Sequence, residues 1–402
     1  MKKLLSCVVV LALIVSLLAG CGTPATTPDT SSESAPESVA PSDEATASDS
    51  TETAATNAGE KHKIGVIFYS KDDSLGQSVY ALCNQAAAAM NIEIVWQIGA
   101  LDNDTQISQA ENLISAGCEG IMVIPMADTV SEKLSNMTKG TDVKFSLCFR
   151  DLGAEVREAV ESNPNYIGTC FEDETGAAEQ LVKILADQGR TNIGVGYAPP
   201  GNPMLDSRNA GVKSGLENTG STQVGEYSIP LDGNIDKSVS SVQNLLNSYP
   251  TMNGIALVSA AVGIGEALTN LVSQSGKDVK IATFDVFDGM GTGFSNGTLA
   301  ACAGGMAPDA LYSFIMLANA VKGTPLSDKF EVLSQSYIFV TSAEEATIFE
   351  ENVGNAENFA KIYDADFIKA LDKSQTPDVT IDDLKAIQGE YSMDWVKEQL
   401  GA

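Results

Sequence analysis

Eight short apolar runs, each bounded by polar residues, recur through the middle of this chain, and segments of helical pattern separate them. They are 63–69, 92–98, 120–124, 143–149, 192–197, 223–229, 254–258 and 279–284. Continuous rather than alternating apolar character suits strands covered on both faces. Between the runs, Ile107, Ala110, Leu113, Ile114 and Gly117 make one helical face at spacings of three and four. Ala178, Leu181, Val182 and Leu185 make another, with Gly189 as the expected C-terminal cap, and Ile235, Val239, Val242, Leu245 and Leu246 a third. Strand and helix alternating every 25–30 residues or so imply right-handed βαβ units and parallel sheets. Asp151–Tyr166 breaks the rhythm after the fourth run, and the rhythm then restarts. Two doubly wound α/β lobes are the simplest account.

The N-terminus reads differently. Met1-Lys2-Lys3 is basic, Leu4–Leu18 is almost wholly apolar, and Ala19 and Gly20 are small. That order is a secretory signal. Leu18-Ala19-Gly20-Cys21 resembles the lipobox of bacterial lipoproteins, which implies cleavage before Cys21 and a lipid on that cysteine. The alternative is an uncleaved signal-anchor, because the run nearly reaches the roughly 20 residues that span a bilayer. With residues 1–20 as a signal peptide, residues 21–60 follow as Ser, Thr, Ala, Pro and Glu without apolar material for a core. We expect a disordered tether there, reaching on the order of 35 Å.

Charge excludes one class of partner. The 402 residues carry a formal charge of −29, and losing the two lysines of 1–20 makes it −31. Such a chain repels phosphate backbones, so nucleic acid is not expected as a partner. Cysteines 83, 118, 148, 170 and 302 are irregularly spaced and odd in number, which suits buried free thiols rather than a disulfide framework.

Catalytic patterns are missing too. His62, the single histidine, precedes the first run and is poorly placed to activate a nucleophile. No GxSxG, HExxH or GxxxxGK[ST] pattern occurs, and no Cys/His cluster suits zinc. Gly194-Val195-Gly196 lacks the third glycine of a dinucleotide fingerprint, Pro199 standing in its place. We therefore expect no catalytic residue, no metal and no cofactor.

What remains is a set of strand ends. In open parallel sheets ligands lie beyond the carboxyl ends of the strands. Those ends carry Tyr69 to Asp73, Met126, Phe149-Arg150-Asp151, Tyr197, Ser259 and Asp285. Arginine forks, carboxylates and a few aromatics are equipped to bind a small polar molecule.

In order and spacing, several segments resemble the type I periplasmic binding proteins, especially the ribose-binding-like sugar receptors of ABC transporters. They are Ile64-Gly-Val-Ile, Gln106–Pro125, Phe145–Asp151, Ser207-Arg-Asn-Ala-Gly211, Asn244–Pro250 and Ile281-Ala-Thr-Phe-Asp285. The resemblance implies two lobes joined by a three-crossover hinge, with crossovers near 168–171, 302–306 and 334–337. Lobe 1 would be 61–170 plus 303–335, lobe 2 would be 171–302 plus 336–345, and 346–402 a C-terminal extension. It implies ligand contacts at Tyr69, Asp73, Phe149, Arg150, Arg208, Ser259 and Asp285, with Arg150, Arg208 and Asp285 foremost. It also implies hinge closure over a sugar-like ligand and delivery to an ABC permease; we expect a monomer, and the Cys21 anchor leads us to expect it tethered to the outer face of the cell membrane, on a Gram-positive-type surface. Leu75-Gly76 stands where sugar receptors have two aromatics, Ser259-Ala260 where they have Asn-Asp, and Gly304-Gly305-Met306 where a glutamine is usual. A receptor for a membrane kinase or chemoreceptor, or for a carboxylated or nucleoside-like ligand, is the alternative.

Overall fold

A computed structural model describes residues 61–401 except Ala100, Leu231, Ala261 and Val262. The signal segment, Cys21 and the tether lie outside the described residues. The eight apolar runs all form strands. The chain begins β1 (His62–Phe68), α1 (Ser74–Ala89), β2 (Ile92–Ile98), α2 (Asn103–Ser115), β3 (Gly120–Val123), α3 (Asp128–Thr138) and β4 (Lys144–Cys148). Then come α4 (Ala154–Glu161) and β5 (Tyr166–Glu172). The break after the fourth run is thus a further helix and strand. In β5 (Tyr-Ile-Gly-Thr-Cys-Phe-Glu) a single glycine and Thr169 interrupt the apolar run, and Gly168 sits at φ 128° beside a register shift between Phe145 and Ser146. The expected lobe boundary at 170/171 falls inside β5, and the chain crosses at Asp173.

The second half repeats the plan: α5 (Glu174–Asp187), β6 (Asn192–Tyr197), α6 (Pro203–Thr219), β7 (Thr222–Ser228), α7 (Ile235–Ser248), β8 (Gly254–Leu257), α8 (Ile264–Ser275), β9 (Lys280–Phe284), α9 (Met290–Ser295) and β10 (Leu299–Gly304). Helix α10 (Pro308–Val321) and β11 (Glu331–Gln335) return to the first sheet, and β12 (Ile338–Val340) closes the second. The strand orders are β11-β5-β4-β3-β1-β2 and β12-β10-β9-β8-β6-β7, parallel throughout save for antiparallel β12. Both lobes share one order, and in each the winding reverses beside the first strand.

Burial follows this plan. Strands β3, β8 and β10 are buried along their whole length, whereas the edge strand β2 is largely half-exposed and the edge strand β7 more exposed still. The buried strands carry no polar side chain, whereas β7 (Thr-Gln-Val-Gly-Glu-Tyr-Ser) is largely polar. The predicted α5 face is buried as expected, and Gly189 ends that helix at φ 76°. All five cysteines of this region are free and buried, and burial pushes the Cys83, Cys148, Cys170 and Cys302 thiols up.

Beyond β12 come α11 (Ala343–Ile348), a π-helical turn (Phe349–Val353), α12 (Ala356–Ile362), α13 (Ala365–Ala370), α14 (Ile381–Glu390) and α15 (Met393–Leu400). Helix α11 packs on α9 of the second lobe, while α12 and α13 pack on α1 of the first. So the chain crosses between the lobes once more than the three crossovers expected. One apolar cluster runs from Ile64, Val79 and Leu82 through Phe359, Tyr363 and Trp395 to Ile338, Met290 and Leu268.

Candidate ligand-binding cleft

The carboxyl ends of β1 and β3, and of β6 and β8, flank the two places where the strand order reverses, and there a doubly wound sheet leaves a crevice. After β1, Asp73 caps α1 by accepting from Gly76 N at 3.0 Å, and it accepts from Tyr69 Oη at 3.0 Å. These bonds hold the Asp73 carboxyl below its usual range despite its partial burial, while burial and Asp73 push the Tyr69 phenol up. A Cβ on Gly76 would lie 2.3 Å from Ser70 O. This explains why no aromatic side chain stands at 76: helix and loop backbone touch. Gln106, fully buried, donates to Ile124 O at 2.8 Å and accepts from Met126 N at 3.0 Å, fixing the loop after β3.

At the end of β4, Phe149 is 5% exposed with φ 60°. Arg150 Nη1 donates to Phe149 O at 2.6 Å and lies 3.9 Å from Met204 Sδ on α6, so the lobes meet across the cleft here. Asp151 is turned away into an ion pair with Arg157 at 2.7 Å.

The opposite wall belongs to the second lobe. Asp285 follows β9 with φ 68°. Its Oδ2 accepts from Ser259 Oγ at 2.7 Å and from Ala260 N at 3.2 Å. Arg208 is only 2% exposed. Its guanidinium donates to both Glu174 oxygens (2.6 and 3.4 Å), to Val258 O (3.1 Å) and to Tyr337 Oη (2.8 Å), and stacks 4.0 Å from the Phe284 ring centre. Its Nη1 is 4.0 Å from Asp285 Oδ1. Of the two arginines brought forward by the sequence, Arg150 therefore stands at the cleft face, and Arg208 lies behind it, its fork committed to protein groups.

Phe149 and Asp285 occupy equivalent places, each directly after the third strand counted from the β11 or β12 edge. The only other non-glycine residue with positive φ among the described residues is Asn91, in the turn before β2. A left-handed side-chain-bearing residue costs on the order of 1–3 kcal/mol and persists where the surroundings impose it, typically at binding and active sites.

Between the walls, the strand ends at the crossings carry a cluster that sequence reasoning missed. Glu172, the last residue of β5, and Asp309, in the first turn of α10, are both buried; Cys170 Sγ donates to Asp309 Oδ1 at 3.4 Å, whereas Glu172 Oε1 and Asp309 Oδ2 meet no donor among the described residues. Burial raises both, Asp309 to about 7, and the charge of Asp309 raises Glu172 as well. Their acidity signalled nothing in a chain so rich in acids. A separate cavity of about 420 Å³, lined by Lys144, Tyr166 and Phe330, lies at the opposite, amino end of the first sheet and includes none of the cleft residues. Among the described residues no Asp, Glu, Cys and His cluster suits a metal ion.

Two doubly wound lobes with converging strand ends define a two-lobed binding protein. A model of the periplasmic binding protein domain matches residues 64–325, and the chain belongs to that family. It is 27% identical over 264 residues to a xylitol-binding protein of Mycolicibacterium smegmatis, covering 62% of this chain and 72% of that protein. Among solved structures it resembles the periplasmic ribose ABC transporter protein of Conexibacter woesei (TM-score 0.61, 12% identity, 73% of this chain and 95% of that one). It also resembles an ABC transporter solute-binding protein of Bacillus halodurans with bound myo-inositol (TM-score 0.57, 19% identity, 74% and 99%). At such identities these structures speak for the fold.

Proposed function

We propose that this chain is a lipid-anchored solute receptor that captures a small polyhydroxylated ligand by hinge closure and passes it to an ABC permease. In this reading residues 1–20 are the signal peptide, Cys21 carries the lipid, and 21–60 hold the body off the membrane. The observation that carries it is the pair of left-handed residues, Phe149 and Asp285, facing the cleft from equivalent strand ends of the two lobes. The polyols named for two of the related proteins, xylitol and myo-inositol, point the same way. Arg150, Asp285, Ser259, Tyr69 and Asp73 would supply the polar contacts, Phe149 an apolar edge, and Arg208 would hold Glu174 and Tyr337 behind Asp285. Ligand touching both lobes favours the closed form because the open form lacks half of those contacts. No step of bond making is assigned to the chain. Among the described residues no helix is long and apolar enough to cross a membrane.

A thermal-shift screen of pentoses, hexoses, polyols including xylitol and myo-inositol, sugar acids, nucleosides and amino acids tests the reading. One narrow class should raise the melting temperature, since ligand bound to the native state alone stabilises it. Stabilisation by none of them would refute the receptor. A sensory role shares every feature of the cleft, and neighbouring genes for a kinase instead of a permease would favour it.

A further inference from the structure

The family match ends at residue 325, and α12–α15 lie wholly beyond it. These helices are anchored to the first lobe. Gln85 on α1 donates to Ala360 O at 2.7 Å and also to Tyr363 O. Asn319 on α10 donates to Leu371 O at 2.9 Å, and Lys322 pairs at 2.7 Å with the fully buried Asp372. Tyr363 packs against Tyr312 of α10 and gathers Phe359, Phe367 and Trp395 around it.

From that anchor the end of the chain reaches the hinge segments one by one. Lys385 pairs with Glu331 on β11 at 2.8 Å. Gln388 Nε2 donates to Cys170 Sγ on β5 at 3.0 Å. Tyr391 Oη donates at 2.5 Å to the carbonyl of Gly305, which has φ 89° and lies between β10 and α10. Lys397 on α15 pairs at 3.1 Å with Glu345 on α11, the helix seated on the second lobe. Strand β12 also contacts α15. The contacts to β5 and β11 stay within the first lobe. Those of Tyr391 and Lys397 span a crossing, and the lobes cannot rotate apart without straining them. Hinge motion is absorbed by a few residues at element ends, and Gly305 is such a residue.

We infer that the C-terminal helices are a hinge brace in which Tyr391 and Lys397 are positioning residues, restraining the Gly305 crossing and α11 so that the lobes of the unliganded protein stay near the arrangement seen here. The inference rests on the hinge-closing reading of the fold. A contact shifts a two-state equilibrium only as far as the two states differ in making it. One lost hydrogen bond of ordinary strength changes such a ratio by about 2- to 10-fold, and two act together if independent.

The test is small-angle X-ray scattering of the full, unliganded chain, with melting temperatures recorded alongside. The double variant Tyr391→Phe/Lys397→Ala should scatter as a more extended particle than the wild type. Lys369→Ala, which breaks an exposed pair with Asp366 on α13, should not. Tyr391→Phe alone retains the ring in its aromatic cluster, so it keeps the question answerable if the double variant fails to fold. A purely structural role would lower the melting temperature and leave the dimensions of the folded particle unchanged, and that result would overturn the brace. Because no ligand is added, the outcome stands whether or not the ligand screen succeeds.

Discussion

Single residues hold this protein's least ordinary chemistry. Glu172 and Asp309 are two acids buried together, and Arg150, Cys148, Cys170, Glu174, Tyr312, Tyr337 and Tyr391 are ionisable groups around them. In the unfolded chain both acids ionise in the usual carboxylate range; folded, both are raised, so the native state binds more protons. The pair's stabilising contribution is therefore intact below the unfolded values and is lost as pH rises toward about 7 and beyond. Glu172→Gln keeps the shape of the side chain and removes one of the two buried acids. Its melting temperature should exceed the wild type's at pH 8 by more than at pH 5; parallel pH profiles would contradict a pair raised by folding. Asp285 offers a second residue-scale prediction. Asn tolerates the left-handed region and can accept from Ser259 and Ala260 as Asp does. Asp285→Asn should fold with little loss of stability yet bind at least about 10-fold more weakly, since a hydrogen bond to a charged group is worth about 1.5–3 kcal/mol. Unaltered affinity by calorimetry would remove Asp285 from the site.

At the scale of elements, the two arginines illustrate what a sheet end does with a charge. Helix α6 delivers Arg208 into the space between α5, β8 and Tyr337, where Glu174, Val258 O and Tyr337 Oη accept from it and the Phe284 ring covers its face. The loop after β4 leaves Arg150 half-exposed with Met204 opposite. Arg208→Ala should thus cost stability, about 3–5 kcal/mol, because Glu174 is left buried without its partner. Arg150→Ala should leave chemical denaturation nearly unchanged and weaken ligand binding by about 10-fold or more. The reverse pattern would show that the roles have been exchanged. The helical faces and the inner strands could be read from spacing alone. Strand β5 could not, since its Gly168 and its terminal Glu172 are justified only by neighbours on β4, β11 and α10.

Over the described residues, one apolar cluster spans both lobes. The apolar cluster that includes β1 and α1 of the first lobe also takes in the C-terminal aromatics and β12, α8 and α9 of the second. Crossings that carry packed side chains transmit instability, so calorimetry should show one cooperative unfolding transition with equal calorimetric and van't Hoff enthalpies. Two resolved transitions would show that the lobes melt independently and that the C-terminal helices belong to one of them.

The sequence by itself determined the doubly wound plan and the strand ends at which a ligand can sit. Hydrophobic periodicity is local, and parallel strands buried on both faces leave a continuous apolar run wherever they occur. It also carried the family resemblance, through segments whose order survives at low identity. Only the tertiary structure decided which arginine stands at the cleft face, that two acids at the hinge are buried together, and that residues 356–400 bind the crossings. Each of these depends on partners tens or hundreds of residues apart: Arg208 on Tyr337, Glu172 on Asp309, Gln388 on Cys170. A charge or a helix pattern looks the same in sequence whether it meets water, ligand or another element. Burial assigns its role, and burial is a property of the folded chain.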